Sequence, residues 1–140
     1  MNFKINKILN KKNKSKIVCL TAYSKNIAQI IDKHVDIVLV GDSLGSVLYD
    51  FKTTRKVNLK MMIEHTKSVR VGVTKSLLVI DLPYNTYRNK SEALRNSKKA
   101  IKNTKCDAVK IEGGIRVKNI VSHLVKNKIP VLGHIGITPQ

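Results

Sequence analysis

Asp42, Asp81 and Glu112 are the residues whose type and placing point first to chemistry. Each closes a short apolar run: Val35-Asp36-Ile37-Val38-Leu39-Val40-Gly41-Asp42, Leu77-Leu78-Val79-Ile80-Asp81 and Ala108-Val109-Lys110-Ile111-Glu112. The chain holds 9 Asp and Glu against 27 Lys and Arg, so three scarce acids at the ends of apolar runs form a pattern. Runs of this length bounded by Gly or Pro are expected to be parallel strands buried on both faces. Amphipathic helical stretches between them give βα units, whose C-terminal strand ends gather around one site. Carboxylates collected there would suit a hard divalent metal, most simply Mg²⁺. Taken singly, a strand-end Asp can equally cap the next helix.

The elements that must position these acids follow from the same patterns. Strands are expected over residues 16–23, 35–40, 77–81, 108–112 and 129–132, with helices between them. Ile27, Ile30 and Ile31 share one helical face, as do Leu59, Met62, Ile63, Thr66 and Val69. Asn89 and Glu92 have the offset of a capping box, opening a helix through Lys102. Val117, Ile120, Val121, Leu124 and Val125 form the cleanest helical stripe. Residues 46–57 alternate loosely and are expected to be a loop or small hairpin. The order, β-α four times and then a strand, predicts an α/β fold of the parallel (β/α)₈ TIM-barrel type that stops after about five strands. Residues 1–15 would be a basic N-terminal arm and residues 16–140 the partial barrel. Open edges on the first and fifth strands would favour pairing with a partner or another copy.

A chain of 140 residues has room for one domain. Its formal net charge of +18 raises polyanions as partners. Lys outnumbers Arg 22 to 5, and six Lys crowd the first sixteen residues while the rest are scattered, which speaks against a specific nucleic-acid interface. Cys19 and Cys106 lack CxxC spacing and suggest reduced thiols in a cytoplasmic protein. No segment has the length and apolarity of a membrane span.

Six segments, in order along the chain, carry a family resemblance. Leu20-Thr21-Ala22-Tyr23, Val40-Gly41-Asp42-Ser43-Leu44-Gly45, Glu64-His65-Thr66-Lys67, Asp81-Leu82-Pro83, Lys110-Ile111-Glu112-Gly113-Gly114 and the run from Gly133 to Gln140 resemble ketopantoate hydroxymethyltransferase. The resemblance implies a (β/α)₈ barrel that transfers a one-carbon unit from 5,10-methylenetetrahydrofolate to 3-methyl-2-oxobutanoate, with a divalent metal, in a homo-oligomer that is a decamer in the family. It implies that Asp42 and Asp81 hold the metal, with Glu112 associated through water. Ser43 would hold the substrate carboxylate, although a Ser there can also be a simple turn residue. Lys110 shares a strand face with Glu112, so a substrate contact and an ion pair with Glu112 are both open. His134 matches a substrate-contacting position, with a structural role as the alternative.

The family's general base is a Glu in a later strand unit, and no residue up to Gln140 matches it. Where the family carries a Gly-containing stretch leading to Leu-Pro-Val-Thr, this chain has Tyr49 to Asn58, YDFKTTRKVN. Two other readings accompany the hydroxymethyltransferase. One is a different Mg²⁺-dependent 2-oxo acid enzyme of the phosphoenolpyruvate mutase and isocitrate lyase group; the other is a non-catalytic remnant.

Overall fold

The computed structural model describes residues 3–137 and Gln140. Five strands, β1 (Cys19–Thr21), β2 (Ile37–Val40), β3 (Leu77–Asp81), β4 (Ala108–Glu112) and β5 (Val131–His134), lie side by side in chain order. Every neighbouring pair is parallel. An open doubly wound sheet reverses its strand order and carries helices on both faces. Here the order never reverses, and the crossover helices all pack on one face, as in a barrel wall.

Alternation along the strands separates the two faces. Val38, Val40, Leu78, Ile80, Val109 and Ile111 point outward into one cluster with the crossover helices α2 (Lys25–Ile31), α4 (Leu59–Gly72), α5 (Lys90–Thr104) and α6 (Lys118–Lys126). Met62, Val69, Ala93, Ala100 and Leu124 are the fully buried helical partners. Burying each large side chain of this kind is worth about 1.5–3 kcal/mol. The tightest helix crossing is made by Gly72, where an added Cβ would stand 2.4 Å from the Lys25 carbonyl oxygen, so α4 needs glycine to reach α2.

Ile37, Leu77, Val79 and Ala108 point the other way, toward the barrel interior, and are covered by Ile5 and Ile8 of an N-terminal helix, α1 (Phe3–Leu9). Its two isoleucines stand three residues apart within a Lys-rich run, a weak periodicity that sequence reading passes over as a polar arm. Lys4 Nζ donates to the Ser76 carbonyl at 2.8 Å, and Lys11 Nζ lies 2.6 Å from Asp36 Oδ1. Both anchors lie just ahead of strands, so α1 closes the N-terminal mouth of the sheet and leaves the opposite end free.

Residues 46–57 are helical where a loop or hairpin was expected. Helix α3 (Leu44–Tyr49) ends at Asp50 in the left-handed region, and a 3₁₀ turn spans Thr54–Lys56. Gly45 permits this: a Cβ there would stand 2.6 Å from Val57, so the returning chain packs directly on the helix backbone. β1 is shorter than its pattern because it is an edge strand, with only three residues paired to β2. β5 starts later than expected: Ile129 N–H caps α6 by donating to Leu124 O at 3.0 Å, and Pro130 has no N–H to give. Asn89 caps α5 as its spacing predicts, accepting from Glu92 N at 2.9 Å. The Glu92 carboxylate turns to the Arg88 amide and guanidinium, at 2.8–3.1 Å, and leaves the capping box half closed.

Asp32, 5% exposed, ties α2 to the start of β3. It accepts hydrogen bonds from the amides of Thr74, Lys75 and Ser76 and from the Thr74 hydroxyl. Burial alone would raise its pKa, but these donors together hold it well below the usual carboxylate range. Asp32→Ala should therefore cost roughly 3–5 kcal/mol by stranding several buried donors. Because the folded pKa is depressed, Asp32 contributes fully above about pH 4, the unfolded value, and progressively less as pH falls below it. Urea unfolding of wild type and variant at pH 7 and pH 3 checks this. An equal gap at both values would contradict it.

Candidate active site

The C-terminal ends of the strands gather the polar residues that the sequence singles out. Asp81 is the last residue of β3, and Asp42 lies two residues past the end of β2, whose Val40 is in register with Ile80. They therefore sit side by side at the same end of the sheet. Asp81 is 1% exposed and Asp42 5%. Lys110 lies on β4 directly across from Asp81, and its Nζ meets Asp81 Oδ2 at 2.5 Å. The sequence offered Glu112 as its ion-pair partner, two residues along the same strand. Cross-strand neighbours are closer than residues two apart on one strand, so the register decides for Asp81.

Glu112 has other partners. His134 Nδ1 lies 3.0 Å from its Oε2, and the Gln140 amide donates to its Oε1 at 2.6 Å. β4 and β5 are in register at these two positions, which places the imidazole beside the carboxylate. Gln140 also donates through Nε2 to Asp42 Oδ2 at 2.8 Å and to the Leu82 carbonyl at 3.3 Å. The Tyr87 hydroxyl reaches both Gln140 Oε1 and, at 3.2 Å, the Glu112 carbonyl. One residue, Gln140, thus links the ends of β2 and β3 through its side chain and β4 through its backbone amide. Ser43 Oγ lies 2.8 Å from the Tyr23 hydroxyl and makes no capping bond to α3. A cavity of about 280 Å³ opens beside Glu112, lined by Tyr84, Tyr87, Arg88, Arg116, Val117 and Gln140 among others.

Electrostatics single out Asp81. Desolvation pushes its carboxyl up to about 7 against the pull of Lys110, and the neighbouring Asp42 raises it further. Its Oδ1 is buried without a hydrogen-bond partner. An orphaned carboxylate oxygen next to a second carboxylate is a donor set for a hard cation. Among the described residues no three His, Cys, Asp or Glu side chains come together closely enough to hold a metal ion. Two carboxylates suffice where Mg²⁺ keeps water and takes further oxygens from a substrate. The residues present fit that arrangement.

Sequence reasoning placed Asp42, Ser43, Asp81, Lys110, Glu112 and His134 at one end of the sheet, and the structure brings them there in three groups: Asp42 with Asp81 and Lys110, Glu112 with His134, and Ser43 with Tyr23. It left Tyr23, Tyr87 and Gln140 without a place in the site. The available signal was position, since Tyr23 follows the first strand and Gln140 the fifth, in the layer where the acids converge.

Comparison with known proteins agrees with this geometry. Residues 2–140 match the family described as Ketopantoate hydroxymethyltransferase. A 3-methyl-2-oxobutanoate hydroxymethyltransferase of Pelagibacter ubique is 66% identical over 140 residues, covering 100% of this chain and 54% of that protein. One from Rhizobium etli is 50% identical over 125 residues, covering 89% and 46%. The chain spans about half the length of the curated relatives it matches. Among solved structures, 2,3-dimethylmalate lyase, a PEP mutase/isocitrate lyase superfamily member, aligns with a TM-score of 0.65 at 10% identity, over 95% of this chain and 51% of that one. Oxaloacetate acetylhydrolase aligns with a TM-score of 0.64 at 11% identity, over 93% and 50%. At such identity these two share the fold alone, whereas the sequence match runs through every segment around the carboxylates, and the chain belongs to the ketopantoate hydroxymethyltransferase family.

Proposed function

We propose that this chain supplies the substrate-gripping side of a site that transfers a hydroxymethyl group from 5,10-methylenetetrahydrofolate to 3-methyl-2-oxobutanoate, forming ketopantoate. The observation that carries the reading is the buried, unpartnered Oδ1 of Asp81 beside Asp42, under the ammonium of Lys110. Together with family membership it favours this activity over another 2-oxo acid enzyme and over a remnant.

In the reaction the proton on C3 of the 2-oxo acid leaves, C3 bonds to the donor's methylene carbon, both carbon–nitrogen bonds from that carbon to the folate break, and water supplies the new hydroxyl, while the C3 proton and one proton of the water end on the two folate nitrogens. Asp42 and Asp81 would hold a divalent cation, most simply Mg²⁺. Bound there, it supplies a Lewis acid for the ketone and carboxylate oxygens as negative charge develops. Lys110 offsets the charge of Asp81 and presents an ammonium to the anionic substrate. Ser43 holds the substrate carboxylate through its hydroxyl. Glu112 and His134 form the next wall, with the imidazole oriented by the carboxylate and able to face substrate. The cavity beyond them offers aromatic surfaces and guanidinium groups to a flat, anionic co-substrate.

The two cysteines are free thiols, which suits a reducing, cytoplasmic setting; among the described residues no helix is long and apolar enough to cross a membrane. Assembly into a homo-oligomer is part of this reading through membership of the family alone. The general base must come from outside these residues. Ketopantoate formation should therefore appear when the chain is mixed with the C-terminal half of the Pelagibacter ubique relative, both substrates and Mg²⁺. If the two halves copurify yet turn over only a different 2-oxo acid, or none, the proposal is wrong.

A further inference from the structure

The hydroxyl assigned to the substrate carboxylate does not stand alone. Ser43 Oγ is 2.8 Å from the Tyr23 hydroxyl, twenty residues away along the chain. The Tyr23 carbonyl in turn lies 2.8 Å from His65 Nδ1. A carbonyl oxygen only accepts, so Nδ1 carries the hydrogen and donates. In the neutral ring Nε2 is then an acceptor, and the Tyr49 hydroxyl donates to it at 2.8 Å. Tyr49 is further fixed by stacking on Phe51, centroids 5.5 Å apart, and by an edge contact with the His65 ring at 5.8 Å. The line Tyr49, His65, Tyr23, Ser43 thus runs from the exposed end of α3, through α4, to the mouth of the sheet.

We propose that Tyr23 is a positioning residue for substrate binding: its phenol donates to Ser43 Oγ and so aims the single Ser43 hydrogen at the substrate carboxylate, while Tyr49 and His65 hold Tyr23 in place. The proposal rests on the reading of Ser43 given above. Its logic is hydrogen counting. A serine hydroxyl has one hydrogen, and if that hydrogen points at Tyr23, only lone pairs face an incoming anion. Among the described residues the Tyr23 hydroxyl has no other partner, so it is free to donate, and Ser43 donates onward to the carboxylate. Donors in series polarise one another and strengthen the last, charge-assisted bond.

The test is a calorimetric titration of 3-methyl-2-oxobutanoate, with Mg²⁺ present, into wild type, Tyr23→Phe, Ser43→Ala and the double variant. Tyr23→Phe should weaken binding about tenfold, the size of one hydrogen bond to a charged group. In the Ser43→Ala background the same change should have little effect, a coupling that a merely structural role would not produce. Tyr49→Phe, which lies outside the site, should give a smaller loss in the same direction and serves if Tyr23→Phe folds poorly by circular dichroism. Equal binding by wild type and both tyrosine variants, or an unchanged Tyr23→Phe loss without Ser43, overturns the proposal. Failure of wild type itself to bind the 2-oxo acid would instead defeat the functional reading, and this inference with it.

Discussion

Lys110→Met should destabilise the fold, and by about 1.4 kcal/mol more at pH 8 than at pH 5. The cause is Asp81, 1% exposed and held at 2.5 Å from the Lys110 ammonium. Without that ammonium, and with Asp42 as an unfavourable neighbour, the carboxyl must either stay charged without a partner or take up a proton, and at pH 8 either one costs free energy. Burial already lifts the Asp81 carboxyl to about 7 with Lys110 in place, far above the roughly 3.9 of an unfolded chain. A raised carboxyl means that the folded protein binds the proton more tightly than the unfolded one. In the metal-free protein this group therefore favours folding most below about pH 4 and progressively less as pH climbs to 7. Removing Lys110 lifts the carboxyl further and extends the window upward, while at pH 5 Asp81 is protonated in both proteins and the loss shrinks. Urea unfolding of wild type and Lys110→Met at the two pH values measures it. An equal loss at both would mean that the ion pair is not what Lys110 contributes.

Asp81→Asn should lower Mg²⁺ affinity about a hundredfold or more. The substitution keeps size and shape but removes the negative charge, and an amide is a much poorer partner for a hard cation than a carboxylate. Loss of an outer-shell partner alone typically costs 10–100-fold in metal affinity, so loss of a ligand belongs at or beyond the upper end. Titration of Mg²⁺ into the two proteins at pH 8, where the wild-type carboxyl is ionised, gives the comparison. Circular dichroism of both establishes that the variant is folded. Equal affinities would place the cation elsewhere.

The strands and the acids at their ends were legible because parallel strands buried on both faces write continuous apolar runs, and β3 and β4 match theirs residue for residue. The barrel type was legible too, from βα units in regular succession. What escaped was built from contacts between distant segments or from compact local packing. Helix α3 has six residues and depends on Gly45 packing against Val57 and Phe51, which no periodicity announces. Helix α1 is carried by Ile5 and Ile8 meeting an interior face that forms only once the sheet exists. Lys110 was placed on the right face, but its partner depended on the register between β3 and β4. Tyr23 and Ser43 are twenty residues apart, and His65 reaches Tyr23 across forty-two; such links follow from the fold and cannot precede it.

The most direct measurement is a titration of 3-methyl-2-oxobutanoate into wild type and Asp42→Ala, each with and without Mg²⁺. Two carboxylates from separate βα units gripping a keto acid through a shared cation predict that wild type binds only when Mg²⁺ is present and that Asp42→Ala does not bind in either condition. Binding of the same strength in both proteins, indifferent to Mg²⁺, would contradict it.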